Sequence, residues 1–185
     1  AAVTRWDLKL PLDPPVCLAL RELLSGGQDS LGAGFAALAG GRRAELWELG
    51  AVVSEPGAAA QPVHFDAPSR CLFTAFVALQ DITQEMGPTG FLPGTHTEAV
   101  HQRFERDPAA FLRDADAVSA LLGAGDAALY DSRVLHWGGA NRSESTRALL
   151  YITFRDPYAD VSALGIDQHS IRKELAGRFR LGDFR

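Results

Sequence analysis

The chain has 185 residues, of which 46% are hydrophobic and 22% charged, proportions that fit one globular domain and exclude a disordered or fibrous chain. Its 18 basic and 23 acidic residues leave a net charge of −5, which excludes a general nucleic-acid or anionic-membrane binder, because both need a basic face. No apolar run reaches the roughly 18 residues of a membrane span.

In chain order, Asp13-Pro14-Pro15 predicts the cap and first turn of a helix that carries Val16, Leu20, Leu23 and Leu24 on one side. Residues 44–54, 71–80, 127–135 and 147–155 read as strands, rich in aromatic and β-branched residues and separated by Gly, Pro, Asn or Ser. The second and fourth strands are almost wholly apolar. Their polar members, Thr74 and Gln80 in one and Arg147, Tyr151 and Thr153 in the other, share one parity and therefore one face. Asp107-Pro108 predicts a second helix with Phe111, Val118 and Leu122 in register, stopped by Gly123 and Gly125. A third helix is expected near the C-terminus, where Ile171, Leu175 and Phe179 recur every four residues and His169-Ser170 resembles a capped start. The expectation is one domain over 1–185, mainly β with flanking α-helices.

Cys17 and Cys71 are the only cysteines, too few for a disulfide framework or a thiolate zinc site, so a reducing compartment is expected. The opening Ala1-Ala2-Val3-Thr4-Arg5 has neither an initiator Met nor a signal-peptide apolar stretch. The closing Gly182-Asp183-Phe184-Arg185 is not a peroxisomal address. The expected location is intracellular and cytoplasmic.

The sharpest local feature is His64-Phe65-Asp66. In extended backbone, residues two apart point the same way, so an imidazole and a carboxylate face one point. His136, placed at the end of the third predicted strand, offers a second imidazole. Two imidazoles and one carboxylate with open positions form the facial triad of non-haem Fe(II) oxygenases. Against this stands the ordinary reading: a His-x-Asp tripeptide arises readily by chance, and a histidine ending a strand can serve as a hydrogen-bonded structural residue. Arg147, eleven residues beyond His136 and across the polar turn 140–146, sits beside apolar neighbours and needs an anionic partner. That partner is either the far carboxylate of a metal-chelating dicarboxylate or an ordinary salt-bridge acid such as Glu144 or Asp131.

The ordered set Gln61-x-x-His64-x-Asp66, Leu79-Gln80-Asp81 leading to Gly87 and Pro93-Gly94-Thr95-His96, then Gly125-Asp126, His136, Asn141, Ser143 and Arg147 resembles the phytanoyl-CoA dioxygenase family. The resemblance runs from about residue 44 to 155. It implies an Fe(II)- and 2-oxoglutarate-dependent oxygenase on a double-stranded β-helix, a cupin-like jelly roll with its core at 44–155. It implies that His64, Asp66 and His136 hold iron, that Arg147 pairs with the far carboxylate of 2-oxoglutarate, and that Gln61, Thr74 and Phe76 lie near the co-substrate. O2 is the second co-substrate, and the expected reaction hydroxylates a small organic molecule while 2-oxoglutarate becomes succinate and CO2. Retention of Asp66 favours hydroxylation over halogenation. Position 138 is often a serine touching 2-oxoglutarate; here it is Gly138, so that hydrogen bond is absent or made by water. Two other classes are weighed against this one: a cupin-like metal enzyme that does not use 2-oxoglutarate, and a non-catalytic jelly-roll binding module.

Other features read as structural. His96 is expected to order the Pro-Gly-Thr-His turn, and its five-residue spacing from His101 suits one metal poorly. Asp131 and Arg133 are expected to pair with neighbours. Trp137 either lines the mouth of the site or covers the end of the barrel. Gly87, Gly90 and Gly94 read as turn glycines outside any phosphate-binding pattern.

Overall fold

The computed structural model describes residues 4–68, 71–159 and 170–185. In chain order the elements are strand β1 (Arg5–Lys9), helices α1 (Pro14–Leu24) and α2 (Leu31–Leu38), strands β2 (Glu45–Ser54), β3 (Leu72–Ala78) and β4 (Thr89–Phe91), helices α3 (Glu98–Arg106) and α4 (Pro108–Arg113), and strands β5 (Val118–Ser119), β6 (Ala127–Asp131), β7 (His136–Gly138) and β8 (Arg147–Arg155). They form an antiparallel five-stranded sheet in the order β1-β2-β8-β3-β6 and a three-stranded sheet in the order β5-β4-β7. The chain is mainly β with a few helices, and no helix among the described residues is long and apolar enough to cross a membrane.

Strand parity divides the large sheet into two unlike faces. Phe73, Ala75 and Val77 of β3 and Leu150, Ile152 and Phe154 of β8 point outward, where Leu20 and Leu24 of α1 and Phe35 of α2 cover them. Phe35 meets Phe154 edge-on with ring centroids 4.8 Å apart. The helices hold their places through local chemistry. Asp13 caps α1 by accepting from Val16 N at 3.3 Å, and Ser30 caps α2 by accepting from Ala33 N at 3.2 Å. The alternate residues Thr74, Phe76, Arg147, Leu149 and Tyr151 point inward and line a cavity. In β2 the register shifts between Leu46 and Glu48, and this bulge lets Leu46 and Leu49 both reach the core while Glu48 reaches the cavity. Gly50 faces Tyr151 across the ladder, and any Cβ there would strike the Tyr151 ring.

Three sequence expectations change at this level. The predicted strand 127–135 is two strands in two sheets. It breaks after Asp131, whose carboxylate accepts from Arg133 N at 3.0 Å while its carbonyl accepts from Val134 N at 2.8 Å, a side-chain-stabilised turn. His136 therefore opens β7 rather than ending the strand before it. The predicted helix from Pro108 to Leu122 stops at Arg113, because Val118 and Ser119 pair with Phe91 and Gly90 instead. The Asp114-Ala115-Asp116 stretch between them also disfavours a helix interior. Near the C-terminus, Ile171 and Leu175 are buried as their spacing suggests, but residues 173–178 run as turns rather than a helix, with Gly177 at φ +73°. A short 3-10 turn over Leu181–Phe184 follows. His169 lies outside the described residues.

Candidate active site

Two antiparallel backbone hydrogen bonds bring the distant triad members together: His64 N donates to His136 O at 2.9 Å, and His136 N to His64 O at 2.8 Å. Asp66 N donates to Ser132 O at 2.9 Å, fixing the next position that faces the cavity. The three side chains offer one ligand atom each within 4.8 Å of one another. His64 Nε2 and His136 Nε2 stand 3.7 and 3.5 Å from Asp66 Oδ1.

The protons on both rings follow from their partners. His64 Nδ1 lies 2.8 Å from the Pro62 carbonyl oxygen, and His136 Nδ1 lies 2.9 Å from that of Val134. A carbonyl only accepts, so each Nδ1 carries a hydrogen, and in the neutral ring the Nε2 lone pair is then the one on the Asp66 side. This second contact is what orients an imidazole as a metal ligand. Burial lowers the pKa of His136, which keeps it neutral. Tyr130 Oη donates to Asp66 Oδ2 at 3.1 Å, leaving Oδ1 free on the side of the two imidazoles. Burial and the Asp66 charge raise the Tyr130 pKa, so the phenol keeps its proton.

The cavity beside the triad has a volume of about 270 Å³, and its walls include Gln61, Thr74, Phe76, Gly138 and Arg147. Gln61 pairs with β7 at both ends: its N–H donates to Gly138 O at 2.9 Å and its Oε1 accepts from Gly138 N at 3.0 Å. Thr74 joins a buried hydroxyl chain with Ser132 and Thr153 at 3.0 and 2.9 Å. Phe76 packs between Tyr130, His136 and Tyr151.

Arg147 is 1% exposed. Its Nη2 donates to Ser54 Oγ at 3.1 Å, while Nε and Nη1 are buried with no partner. Burial, followed by the Arg5 charge, pushes its pKa down to about 10. Neither salt-bridge acid expected from the sequence meets it: Asp131 is held by Arg133 at 2.6 Å, and among the described residues no ion pair joins Arg147 to Glu144. Asn141 sets the approach to Arg147. It is 1% exposed, donates to Ser54 O and Ser145 O at 2.9 and 2.8 Å, and accepts from Ser143.

The profile of the phytanoyl-CoA dioxygenase (PhyH) family matches residues 12–149, more than half the chain. The chain belongs to that family. The dioxygenase trt7 of Aspergillus terreus is 30% identical to it over 105 residues, covering 50% of this chain; the chain spans about a third, 34%, of that curated relative. Among solved structures, AviO1 from Streptomyces viridochromogenes superposes with a TM-score of 0.62 at 22% identity, covering 86% of this chain and 76% of that one. The epimerase SnoN from nogalamycin biosynthesis, crystallised with Fe3+, alpha ketoglutarate and nogalamycin RO, superposes with a TM-score of 0.57 at 20% identity, covering 91% and 90%. At these identities the likeness is one of fold.

In this PhyH-family chain all seven side chains singled out from the sequence converge on one cavity. Several of their partners were not expected. Tyr130, Ser54, Glu48, Asp7 and Ser170 also reach the cavity or its buried hydrogen bonds. Glu48 accepts from Thr153 Oγ1 and Ser170 N, and burial raises its pKa. Asp7 accepts from Tyr151 Oη at 2.6 Å and Ser170 Oγ at 2.9 Å. Strand parity was the one available signal, since Ser54, Tyr130 and Glu48 share the cavity face of their strands. The Pro-Gly-Thr-His loop is ordered by Thr95, not by the exposed His96: Thr95 Oγ1 donates to Leu92 O at 2.6 Å and accepts from Leu135 N at 2.9 Å. His101 donates to Arg133 O and stacks on Phe65 at 4.1 Å. Trp137 covers Gly90 of the small sheet and does not line the cavity.

Proposed function

We propose that this chain is a jelly-roll, double-stranded β-helix oxygenase that uses Fe(II), 2-oxoglutarate and O2 to hydroxylate a small organic substrate, within one domain. His64, Asp66 and His136 hold the metal. Arg147 binds the far carboxylate of 2-oxoglutarate, with Gln61, Thr74 and Phe76 flanking it. The observation that carries this reading is a pair of imidazoles fixed with their Nε2 lone pairs beside one carboxylate oxygen, across a cavity from a buried guanidinium with two unpaired N–H positions. The donor set suits ferrous iron, for which two nitrogens and one oxygen leave positions open. The unpaired guanidinium suits a carboxylate, because a buried charge without an anion is costly.

When bound, the iron and co-substrate supply the oxidative chemistry: substrate C–H, O2 and 2-oxoglutarate become C–OH, succinate and CO2. The chain's own residues orient and insulate. The Pro62 and Val134 carbonyls fix the tautomers of the two histidines. Tyr130 holds Asp66 Oδ2, so that Oδ1 is the oxygen presented to the metal. Phe76, Phe91 and Tyr130 crowd the His136 ring and keep water from that side.

The test is conversion of 2-oxoglutarate to succinate by the purified chain with Fe(II), with and without a panel of small organic substrates. Succinate that forms with the native chain and Fe(II), and stops when iron is withheld, is expected. Iron-loaded protein that never consumes 2-oxoglutarate in any mixture would leave the cupin-like reading as the better one.

A further inference from the structure

A second arginine lies on the same rung of the sheet as Arg147. Arg5 of β1 pairs with Ser54 of β2, and Ser54 pairs with Arg147 of β8. Side chains of directly paired residues in an antiparallel sheet point to the same face, with strands about 4.8 Å apart. Arg5 and Arg147 thus flank Ser54 on the cavity face. Arg5 Nη2 is fixed by the carbonyls of Ala59 and Gly139, each at 2.9 Å. Its Nη1 is buried and has no partner, as are Nε and Nη1 of Arg147. Among the described residues neither guanidinium forms an ion pair.

Buried Arg147 and half-buried Arg5 are like charges that act on each other and leave three buried N–H-bearing nitrogens unsatisfied, an arrangement stabilised by an anion between them. The position of Nη1 is informative. A Cβ at residue 138 would run into Arg5 Nη1 and Gln61 Oε1, and both Gly138 and Gln61 line the cavity. The glycine is therefore what lets the Arg5 guanidinium come up behind two residues of the cavity wall.

We propose that Arg5 is a second binding residue for the distal carboxylate of 2-oxoglutarate, its Nη1 taking the space a side chain at position 138 would fill, so that the carboxylate sits between two guanidiniums. A carboxylate accepts through both oxygens and through about four lone-pair positions, enough for donors from both sides. This inference rests on the co-substrate reading above. It makes the edge strand β1 part of the co-substrate site, so that binding of 2-oxoglutarate and docking of β1 stabilise each other.

The test compares 2-oxoglutarate with 2-oxopentanoate, which keeps the chelating end and lacks the distal carboxylate, on the Mn(II)-loaded full chain. Arg5→Met is expected to weaken 2-oxoglutarate by about 10- to 100-fold, leaving 2-oxopentanoate and Mn(II) affinity unchanged. Gly138→Ser is expected to weaken 2-oxoglutarate in the native chain, where it collides with Arg5, and to strengthen it in the Arg5→Met background, a reversal of sign that reports direct coupling. Equal loss of both keto acids in Arg5→Met would show a purely structural role and overturn the proposal, as would unchanged 2-oxoglutarate affinity. Should Arg5→Met fail to fold, hydrogen exchange on the native chain decides. Slowed exchange of the β1 amides with 2-oxoglutarate but not with 2-oxopentanoate supports the proposal, and no difference overturns it. A native chain that binds both keto acids equally would instead remove the co-substrate reading itself.

Discussion

The two faces of the five-stranded sheet are built from alternating residues of the same strands, yet they are held by different physics. On the outer face of β8, Leu150, Ile152 and Phe154 are at most 6% exposed and share one apolar cluster with residues of α1, α2, β2 and β3. On the inner face Arg147, Tyr151 and Thr153 are equally buried, but each is polar and has a hydrogen-bond partner: Ser54 for Arg147, Asp7 for Tyr151 and Thr74 for Thr153. The outer face contributes stability through close packing. The inner face leaves lone pairs and N–H groups unused by the protein, which is where a ligand can gain what folding does not supply.

Substitutions on opposite faces should therefore separate binding from stability. The largest effect is expected for Asp66→Ala, which removes the anionic ligand: Mn(II) affinity measured by equilibrium dialysis should fall roughly 100-fold or more, succinate formation should cease, and thermal stability should change little. Unchanged Mn(II) binding would take Asp66 out of the site. On the other face, Phe154→Ala should cost about 3–5 kcal/mol in urea unfolding while Mn(II) affinity of the folded fraction stays level. A loss of metal affinity there would show that the two faces are not independent.

Part of this division was legible in the sequence. The shared parity of Thr74 and Gln80, and of Arg147, Tyr151 and Thr153, marks one face of each strand in the sequence, since period two is imposed by the pleat itself; that Thr74, Arg147 and Tyr151 line a cavity emerges only in the fold. The triad and Arg147 were legible because they combine distinctive residue types with fixed order. The split between β6 and β7 was not, because the Asp131 turn rests on one side chain bonding to backbone two residues on, within an otherwise strand-like run. The Phe111–Leu122 periodicity misled because Val118 was taken by β4, a tertiary choice that overrides local preference. Arg5 escaped notice because its meaning depends on a rung shared by three strands whose neighbours are far apart in the chain.

Smaller effects sharpen the contrast further. Arg147→Met removes a buried guanidinium that holds only Ser54, so unfolding stability should stay level or rise by about 1–2 kcal/mol while 2-oxoglutarate affinity collapses. A clear loss of stability with intact co-substrate binding would return Arg147 to a structural role. The smallest effect concerns Cys71, fully buried among Ala67 and Leu72. Burial pushes its thiol from an ordinary 9.0 up to about 11. The folded chain keeps a proton that the unfolded chain releases, so stability falls as pH rises from about 9 toward 11 and is unaffected below that window. Urea unfolding of the native chain and Cys71→Ala should differ in this window by the slope of one proton, because Tyr130 and Arg147 titrate abnormally in both. Identical slopes would mean the thiol is not shielded.

In the proposed reading His64, Asp66 and His136 hold one ferrous ion with room beside it for 2-oxoglutarate. Anaerobic titration of the chain with Fe(II) and then 2-oxoglutarate, followed by visible absorption, tests it most directly. A charge-transfer band is expected that appears only when both are present, saturates at one iron per chain, and is missing in Asp66→Ala. A band of the same strength in that variant, or none in the native chain at saturating iron and co-substrate, would contradict it.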